Sequence, residues 1–331
     1  MYTPPFSITS EILHMVSEIS ERIGMLAVSL GDSTPSPSLR RENQIKTIHS
    51  SLAIEQNSLS LQQVTDIING KRVLGRPNEI QEVKNALQAY ELMSQLDAFN
   101  ENDLLHAHSL MMRGLVDSPG RYRTGGVGIF DGDHCIHMAP PATRVPTLMS
   151  ELFEWVKTTD THPLISSCVF HYEFEFIHPF IDGNGRMGRY WQTMLLARWK
   201  GIFAWIPVET IVKSHQQDYY QAIAKSDSSG DSTPFIHFML NCLLTVIKEY
   251  EVTNKVTNKV TNNWLSKTER EILNLINEDA HVTRKRLCEM TGLSDSGIKK
   301  VLGSLRQKDI IERVGANKNG YWVVKKPLAE I

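Results

Sequence analysis

At 331 residues with 41% hydrophobic content, the chain is long enough for two or more domains with sizeable cores. Its formal net charge of −2 is unevenly spread: residues 264–331 hold 13 Lys plus Arg against 9 Asp plus Glu, a balance of +4, which leaves −6 for the rest. No apolar run approaches a membrane span, no basic stretch leads into an apolar one at Met1 to Pro5, and Cys135, Cys168, Cys242 and Cys288 show no Cys-x-x-Cys spacing. A soluble, cytoplasmic protein with reduced thiols is therefore expected, with neither disulfides nor cysteine-bound metal.

In chain order, residues 8–118 carry helical patterns, such as Ile12, Leu13, Val16, Ile19 and Ile23, or Val83, Leu87, Tyr90, Leu92 and Met93. Within them, Arg40 to Glu55 places Ile45, Ile48, Leu52 and Ile54 at the spacing of a buried helix face. His106 and His108 stand two apart and so face different sides of a helix; they read as core or surface histidines. Gly120-Arg121-Tyr122-Arg123 leads to two short apolar runs, Val127 to Phe130 and Cys135 to Met138, around Asp131-Gly132-Asp133. That is a hairpin signal. His171, Glu175 and His178 share one helical face, a spacing that suits a metal cluster, but no further ligand is evident.

The segment His178-Pro179-Phe180-Ile181-Asp182-Gly183-Asn184-Gly185-Arg186-Met187-Gly188-Arg189 is the most informative. Gly183 and Gly185 let the backbone take positive φ and bring N–H groups close to an anion. Arg186 to Trp199 reads as a helix, with Met187, Tyr190, Met194, Leu195 and Trp199 at helical spacing, so phosphates would meet a helix N-terminus. Arg186 and Arg189, three apart, lie on one face and carry donor forks suited to phosphate oxygens. Asp182 supplies a hard oxygen ligand for magnesium, and His178 takes a proton near neutral pH without large tuning. The Walker A pattern is absent, and Gly-x-Gly follows a helix rather than a strand, which argues against a Rossmann fingerprint.

Toward the C-terminus, the repeat Val252-Thr253-Asn254-Lys255, Val256-Thr257-Asn258-Lys259, Val260-Thr261-Asn262 reads as a linker with turn-forming Asn. Beyond it, Thr268, Thr283 and Ser294 are placed to cap three helices, the second ending at Gly292, and Ile310 to Val314 and Tyr321 to Val324 flank Asn319-Gly320 as a hairpin. Three helices and a wing resemble a winged helix-turn-helix module, with Lys299, Lys300 and Arg306 on the reading helix; such modules bind DNA or dock proteins.

The string from His178 to Arg189 resembles the Fic motif His-x-Phe-x-Asp/Glu-Gly-Asn-Gly-Arg-x-x-Arg at every fixed position. The resemblance implies a mainly α fold: a helical Fic core with a β-hairpin flap, followed by the small winged helix domain. It divides the chain into an N-terminal helical region (1–95), a catalytic core (96–250), a linker (251–263) and the winged helix domain (264–331). It also implies transfer of AMP from ATP to a Ser, Thr or Tyr hydroxyl of a target protein, with release of pyrophosphate. His178 would be the general base, Asp182 would hold Mg2+, Gly183, Asn184 and Gly185 would cradle phosphates, and Arg186 and Arg189 would hold the β and γ groups. Met187 and Gly188 fall inside this ATP-binding stretch, and Phe180 would anchor the loop. Ser51 and Glu55 match the Ser/Thr-x-x-x-Glu-Gly/Asn inhibitory helix of Fic proteins, with Gln56 departing from Gly or Asn. Glu55 would pair with Arg189 and take the place of the γ-phosphate. The hairpin, about Val127 to Met138, would be the flap on which the target docks. Ser214 to Tyr220 is similar to a Fic segment lining the nucleotide pocket and gives His215 a nucleotide contact, while core packing also accounts for Tyr219 and Tyr220. The expected partners are ATP, a target protein, DNA through the C-terminal domain, and a second copy of the chain. Two alternatives share the residues: removal of AMP at the same site, and a DNA-binding regulator whose Fic part senses nucleotide.

Overall fold

The computed structural model describes residues 2–30, 37–131, 134–264, 266–315 and 320–325. The chain divides into two compact units, Met1–Tyr250 and Glu251–Ile331. In the first, helices α1 (Ser10–Leu30), α2 (Pro37–Ile54), α3 (Leu61–Ile68), α4 (Pro77–Leu92) and α5 (Glu101–Met111) precede a hairpin of β1 (Gly128–Asp131) and β2 (His134–Met138). Then follow α6 (Val145–Thr158), α7 (Pro163–Ile177), α8 (Asn184–Trp199), α9 (Val208–Ser214), α10 (Gln216–Ser229) and α11 (Thr233–Trp264), whose residues from Glu251 onward fall in the second unit.

The core is organised around α7. Pro163 starts it, His162 Nδ1 accepts the Leu164 N–H, and 13 of its 15 residues are buried. A helix apolar on every side belongs in the middle of a protein, and here α6 and α8 pack against it. Trp191, Tyr190 and Phe174 fill the space between them, each with no more than a trace of exposure.

Helix α2 is built into this body rather than laid upon it. Ile45, Ile48 and Leu52 form a second cluster with Val64, Ile67 and Ile68 of α3 and Val83 and Ala86 of α4. Ile54, at its end, joins the main core. The face expected from residues 45, 48, 52 and 54 is thus the buried one. Burial of such side chains contributes about 1.5–3 kcal/mol each, so the end of α2 is held by packing on two sides.

The repeat read as a linker continues α11 as helix through Trp264. A four-residue period lies close to 3.6 per turn and contains neither Gly nor Pro, so its Asn residues stay helical. In the second unit, α12 (Lys267–Glu278), α13 (Arg284–Thr291) and α14 (Asp295–Gln307) precede the antiparallel pair β3 (Ile311–Val314) and β4 (Tyr321–Val324). The cap of α12 is Ser266, not Thr268: its side chain accepts the Glu269 N–H while Glu269 returns a bond to the Ser266 backbone. Thr283 and Ser294 cap α13 and α14, and Gly292 closes α13 at φ 70°. Ile272, Ile276, Leu287, Ile298, Leu302 and Trp322 make its core. Asn319 and Gly132-Asp133, at the turns expected for the two hairpins, lie outside the described residues.

One buried acid lies in the core behind α8. Glu209 of α9 is 2% exposed, accepts long bonds from Tyr90 (3.4 Å) and Thr193 (3.5 Å), and its Oε2 has no partner among the described residues. Burial lifts its carboxyl to about 7. The sign follows: the fold binds a proton that the unfolded chain, titrating near 4.5, has already lost, so this group weakens the fold increasingly as pH rises through 7. Relative to Glu209→Gln, the parent is expected to lose about 3 kcal/mol of unfolding free energy between pH 4.5 and pH 8 in urea titrations. A pH-independent difference would show that Glu209 is ionised in the fold.

Candidate functional site

Between α7 and α8 the chain turns sharply. His178, the residue after α7, has φ 48°, and Gly183, the residue before α8, has φ 85°. The loop between them is pinned from several sides. Phe180 is fully buried and stacks on His108 at 3.6 Å with 7° between planes. The Asn184 side chain brackets the backbone of Phe180, accepting its N–H and donating to its carbonyl, both at 2.9 Å. Gly120 N–H donates to His108 Nδ1 (2.8 Å), which leaves the proton on Nε2 for the carbonyl of Asp182 (3.0 Å). Burial pushes the His108 pKa down to about 4, so this neutral tautomer is the one present at pH 7.

Arg123 is the largest single brace. Its guanidinium donates to the carbonyls of His178 (2.7 Å), Ile177 (3.2 Å), Gly125 (2.9 Å) and Pro140 (2.6 Å), and its own N–H donates to Pro179 (2.9 Å). One 5%-exposed side chain thereby joins the end of α7 to both ends of the segment carrying β1 and β2. The two strands pair antiparallel from Gly128↔Met138 to Asp131↔His134, with a bulge between Ile129 and Phe130.

His178 Nδ1 lies 3.3 Å from the Glu175 carbonyl, which fixes the proton there and puts the ring's lone pair on Nε2. The Glu175 carboxylate is 3.9 Å from the same Nδ1 and 3.7 Å from His171 Nε2. Burial alone would raise its pKa, but His171, His178 and Arg189 hold it below the ordinary carboxylate range. His171 is itself fixed by Gln192 (2.7 Å) and Tyr219 (3.2 Å). A Cβ on Gly188 would stand 2.8 Å from both Glu175 Oε1 and the His171 ring. No cluster of three or more His, Cys, Asp or Glu able to hold a metal ion occurs among the described residues.

Across the first turn of α8, both arginines are engaged by carboxylates. Arg189 donates to Glu55 Oε1 (2.7 Å), to Ser51 Oγ (3.2 Å) and to the Ser51 carbonyl (3.1 Å). Burial disfavours its charge, yet Glu55 holds its pKa above the ordinary guanidinium value. Arg186 pairs with Glu82 Oε1 of α4 (3.2 Å) and with Asp182 Oδ1 (3.0 Å). Buried Arg186 Nε and Arg189 Nη1 have no partner among the described residues. Such orphaned donors are expensive unless an anion or water meets them. The Glu55 carboxylate lies so close over Gly185 that a Cβ there would collide with its Oε1. It therefore occupies an anion's place: against bare backbone at a helix N-terminus, on an arginine.

Glu55 is held there by backbone geometry. α2 ends in a Schellman motif, with Gln56 N–H on Ala53 O (3.2 Å), Asn57 N–H on Leu52 O (3.1 Å) and Gln56 at φ 67°. The left-handed φ explains why the inhibitory-helix pattern has Gly or Asn at this place, which Gln56 fills at some strain. From α10, Gln216 Nε2 donates to the Ile54 carbonyl (2.9 Å).

Of the residues singled out in the sequence, Ser51, Glu55, Asp182, Gly185, Arg186 and Arg189 meet in one place, with His178 joined to them through Glu175. Others do not. The Met187 side chain is fully buried and its N–H bonds to Gly183 O, so it faces the core. Gly188 serves the packing on Glu175 and His171. Asn184 uses its amide on Phe180, leaving only its backbone for a ligand. His215 is exposed, with Nδ1 near Ser214 Oγ (3.0 Å) and Ile211 O (3.1 Å), and lines a groove with Asp218, His237 and Asn241 rather than meeting these arginines. Conversely, His108, Arg123, Glu82 and Glu175 belong to the site and were not singled out for it; for His108 the signal was its place on the apolar stripe with Leu104 and Met111, whereas His106 is exposed.

Residues 95–196 match the model of the Fic/DOC family, and residues 265–312 that of the winged helix-turn-helix DNA-binding family. The crystal structure of a Fic family protein from Desulfovibrio desulfuricans G20 is 46% identical and covers 98% of this chain and 99% of its own, with a TM-score of 0.75. The chain belongs to the Fic family. Proteins called protein adenylyltransferase Fic are 28% identical over 255 residues in Nematostella vectensis and 30% identical over 214 residues in Culex quinquefasciatus, covering 71% and 61% of this chain. This Fic protein spans 55% and 40% of those relatives' lengths. Its fold is mainly helical, with the winged helix domain at the C-terminal end, and no helix among the described residues is long and apolar enough to cross a membrane.

The brace formed by Arg123 is directly testable. Arg123→Lys keeps the charge but cannot reach four carbonyls, so it is expected to lower the unfolding free energy by about 1–3 kcal/mol in denaturant titrations. A change below about 0.5 kcal/mol, the range of an ordinary surface substitution, would show that the carbonyls find other donors.

Proposed function

We propose that the protein is a protein adenylyltransferase that moves AMP from ATP to a Ser, Thr or Tyr hydroxyl of a target protein and is held in check by Glu55. The observation that carries this reading is the pairing of Glu55 with Arg189 over Gly185, beside two orphaned guanidinium donors. A site with surplus buried donors, one of them already occupied by a carboxylate, suits a polyphosphate.

In this reading the triphosphate lies along the first turn of α8, its β and γ groups on Arg186 and Arg189. The target hydroxyl attacks the α-phosphorus; its proton goes to His178 Nε2, a bond forms from hydroxyl oxygen to phosphorus, and the bridging oxygen leaves with pyrophosphate. The Asp182 carboxylate, 57% exposed beside the helix N-terminus, fits magnesium, which takes one or two carboxylates with phosphate oxygens and water. When bound there, magnesium would neutralise charge on the leaving group. Asp182 must then give up Arg186, which frees a donor edge for phosphate. General-base help from His178 is worth about 10²- to 10⁴-fold, with positioning and charge neutralisation supplying the rest. The target segment would pair with the backbone of the β1–β2 hairpin, a mode tolerant of sequence.

For the C-terminal domain we propose a DNA contact through α14. Support comes from the match of residues 265–312 to a DNA-binding winged helix family and from Arg284, Lys285, Lys299, Arg306 and Arg313, which line one groove.

Incubation with α-labelled ATP and magnesium tests the enzyme reading. Glu55→Gly is expected to raise AMP transfer at least tenfold over the parent, including onto the protein's own hydroxyls, because Arg189 is freed for the γ-phosphate. Adding His178→Ala should abolish transfer while ATP affinity by calorimetry stays within about twofold. Equal labelling by the parent and Glu55→Gly would reject autoinhibition. Release of free AMP from a modified target, without forward transfer, would favour AMP removal at this site.

A further inference from the structure

Glu82 has no place in the mechanism above, yet its geometry is specific. It sits on α4, its side chain 20% exposed, with its two oxygens divided between two partners. Oε1 accepts from Arg186 Nη1 at 3.2 Å, and Oε2 accepts from Asn57 Nδ2 at 2.7 Å. Asn57 is 8% exposed and is fixed in turn: its N–H closes α2 on Leu52 O, its Nδ2 also reaches Glu79 O (3.2 Å), and its Oδ1 accepts the Leu59 N–H (3.1 Å). The neighbouring Ser58 N–H is held by Glu79 Oε1 at 2.8 Å. A carboxylate gripped from behind in this way is a rigid anchor for whatever it holds in front.

What it holds is Arg186, whose side chain is 5% exposed and whose Nε has no partner among the described residues. A guanidinium presents five donors on more than one edge, so it can keep one carboxylate and still offer the others to a phosphate. Its two acidic partners are not equivalent. Asp182 is more than half exposed and sits on the loop that would serve magnesium, whereas Glu82 is mostly buried and braced by Asn57.

We propose that Glu82 is the positioning residue of Arg186: it holds the guanidinium aimed at the nucleotide's phosphates when Asp182 turns to the metal, and through Asn57 it ties that arginine to the turn that carries Glu55. The inference rests on the reading of this site as a nucleotidyl transferase. It places the two phosphate arginines on one frame, since the Schellman turn that fixes Glu55 against Arg189 also orients Asn57, and Asn57 fixes Glu82 against Arg186. Glu82 touches neither ATP nor target and acts through Arg186 alone.

The test uses the full-length Glu55→Gly protein with magnesium and ATP. If Glu55→Gly itself transfers no AMP, the transferase reading fails, whatever Glu82 does. With transfer present, Glu82→Gln is expected to raise the KM for ATP about tenfold while kcat changes less than about threefold and the melting temperature stays within a few degrees. Calorimetry then closes the cycle: in an Arg186→Ala background, Glu82→Gln should leave ATP affinity unchanged, because the residue it serves is gone. An unchanged KM, or the same loss of affinity with and without Arg186, would overturn the proposal. If Glu82→Gln does not fold, Glu82→Asp, which keeps the charge but withdraws it by one methylene, takes its place with the same expected rise and the same overturning results.

Discussion

The site depends on one ion pair, Arg189 with Glu55, formed where the first turn of α8 has no side chain at Gly185. A buried guanidinium needs a partner, because an uncompensated charge at that depth would cost several kcal/mol. Arg189 is nearly inaccessible, while Glu55 remains about one-third exposed. The arginine is thus a fixed part of the protein, and the carboxylate is the more accessible partner. α2, which carries it, is packed on both sides by core residues that hold its end in place.

The remaining parts serve rigidity. His178 and Gly183 take left-handed backbone at either end of a short loop; glycine adopts it freely, whereas His178 holds it because the surroundings fix it. Those surroundings are Arg123 on four carbonyls, His108 between Gly120 and Asp182, and Asn184 on Phe180. Each supplies the hydrogen bonds that a buried irregular backbone would otherwise lack. His178 and the two arginines are therefore placed by the fold itself, which suits the proposed transfer, driven by positioning and charge rather than by covalent chemistry of the enzyme.

The sequence carried much of this because its signals were local. A glycine-rich turn followed by helical spacing located α8, and the apolar positions of α2 located the helix bearing Glu55. Apart from Glu55 with Arg189, which the family resemblance implies, it did not carry the contacts between residues far apart in the chain. Arg123 meets His178 across 55 positions and Arg186 meets Glu82 across 104, and no periodicity encodes either. His215 is a different case: it lies on the exposed side of the α9–α10 corner, and a segment's position in the chain does not fix which face a side chain takes. The repeat after residue 251 is helical for a physical reason: Asn favours turns only where the flanking residues permit one, and a four-residue period without Gly or Pro also satisfies a helix.

In the proposed function, the Glu55 carboxylate holds a phosphate's place on Arg189. Calorimetric binding of magnesium-free tripolyphosphate to the parent and to Glu55→Gln tests it without target protein, metal or catalysis. The glutamine keeps the shape of the side chain and removes the competing charge. At least tenfold tighter binding to Glu55→Gln is expected, with the gain narrowing as salt screens the site. Equal affinities for the two proteins would contradict it.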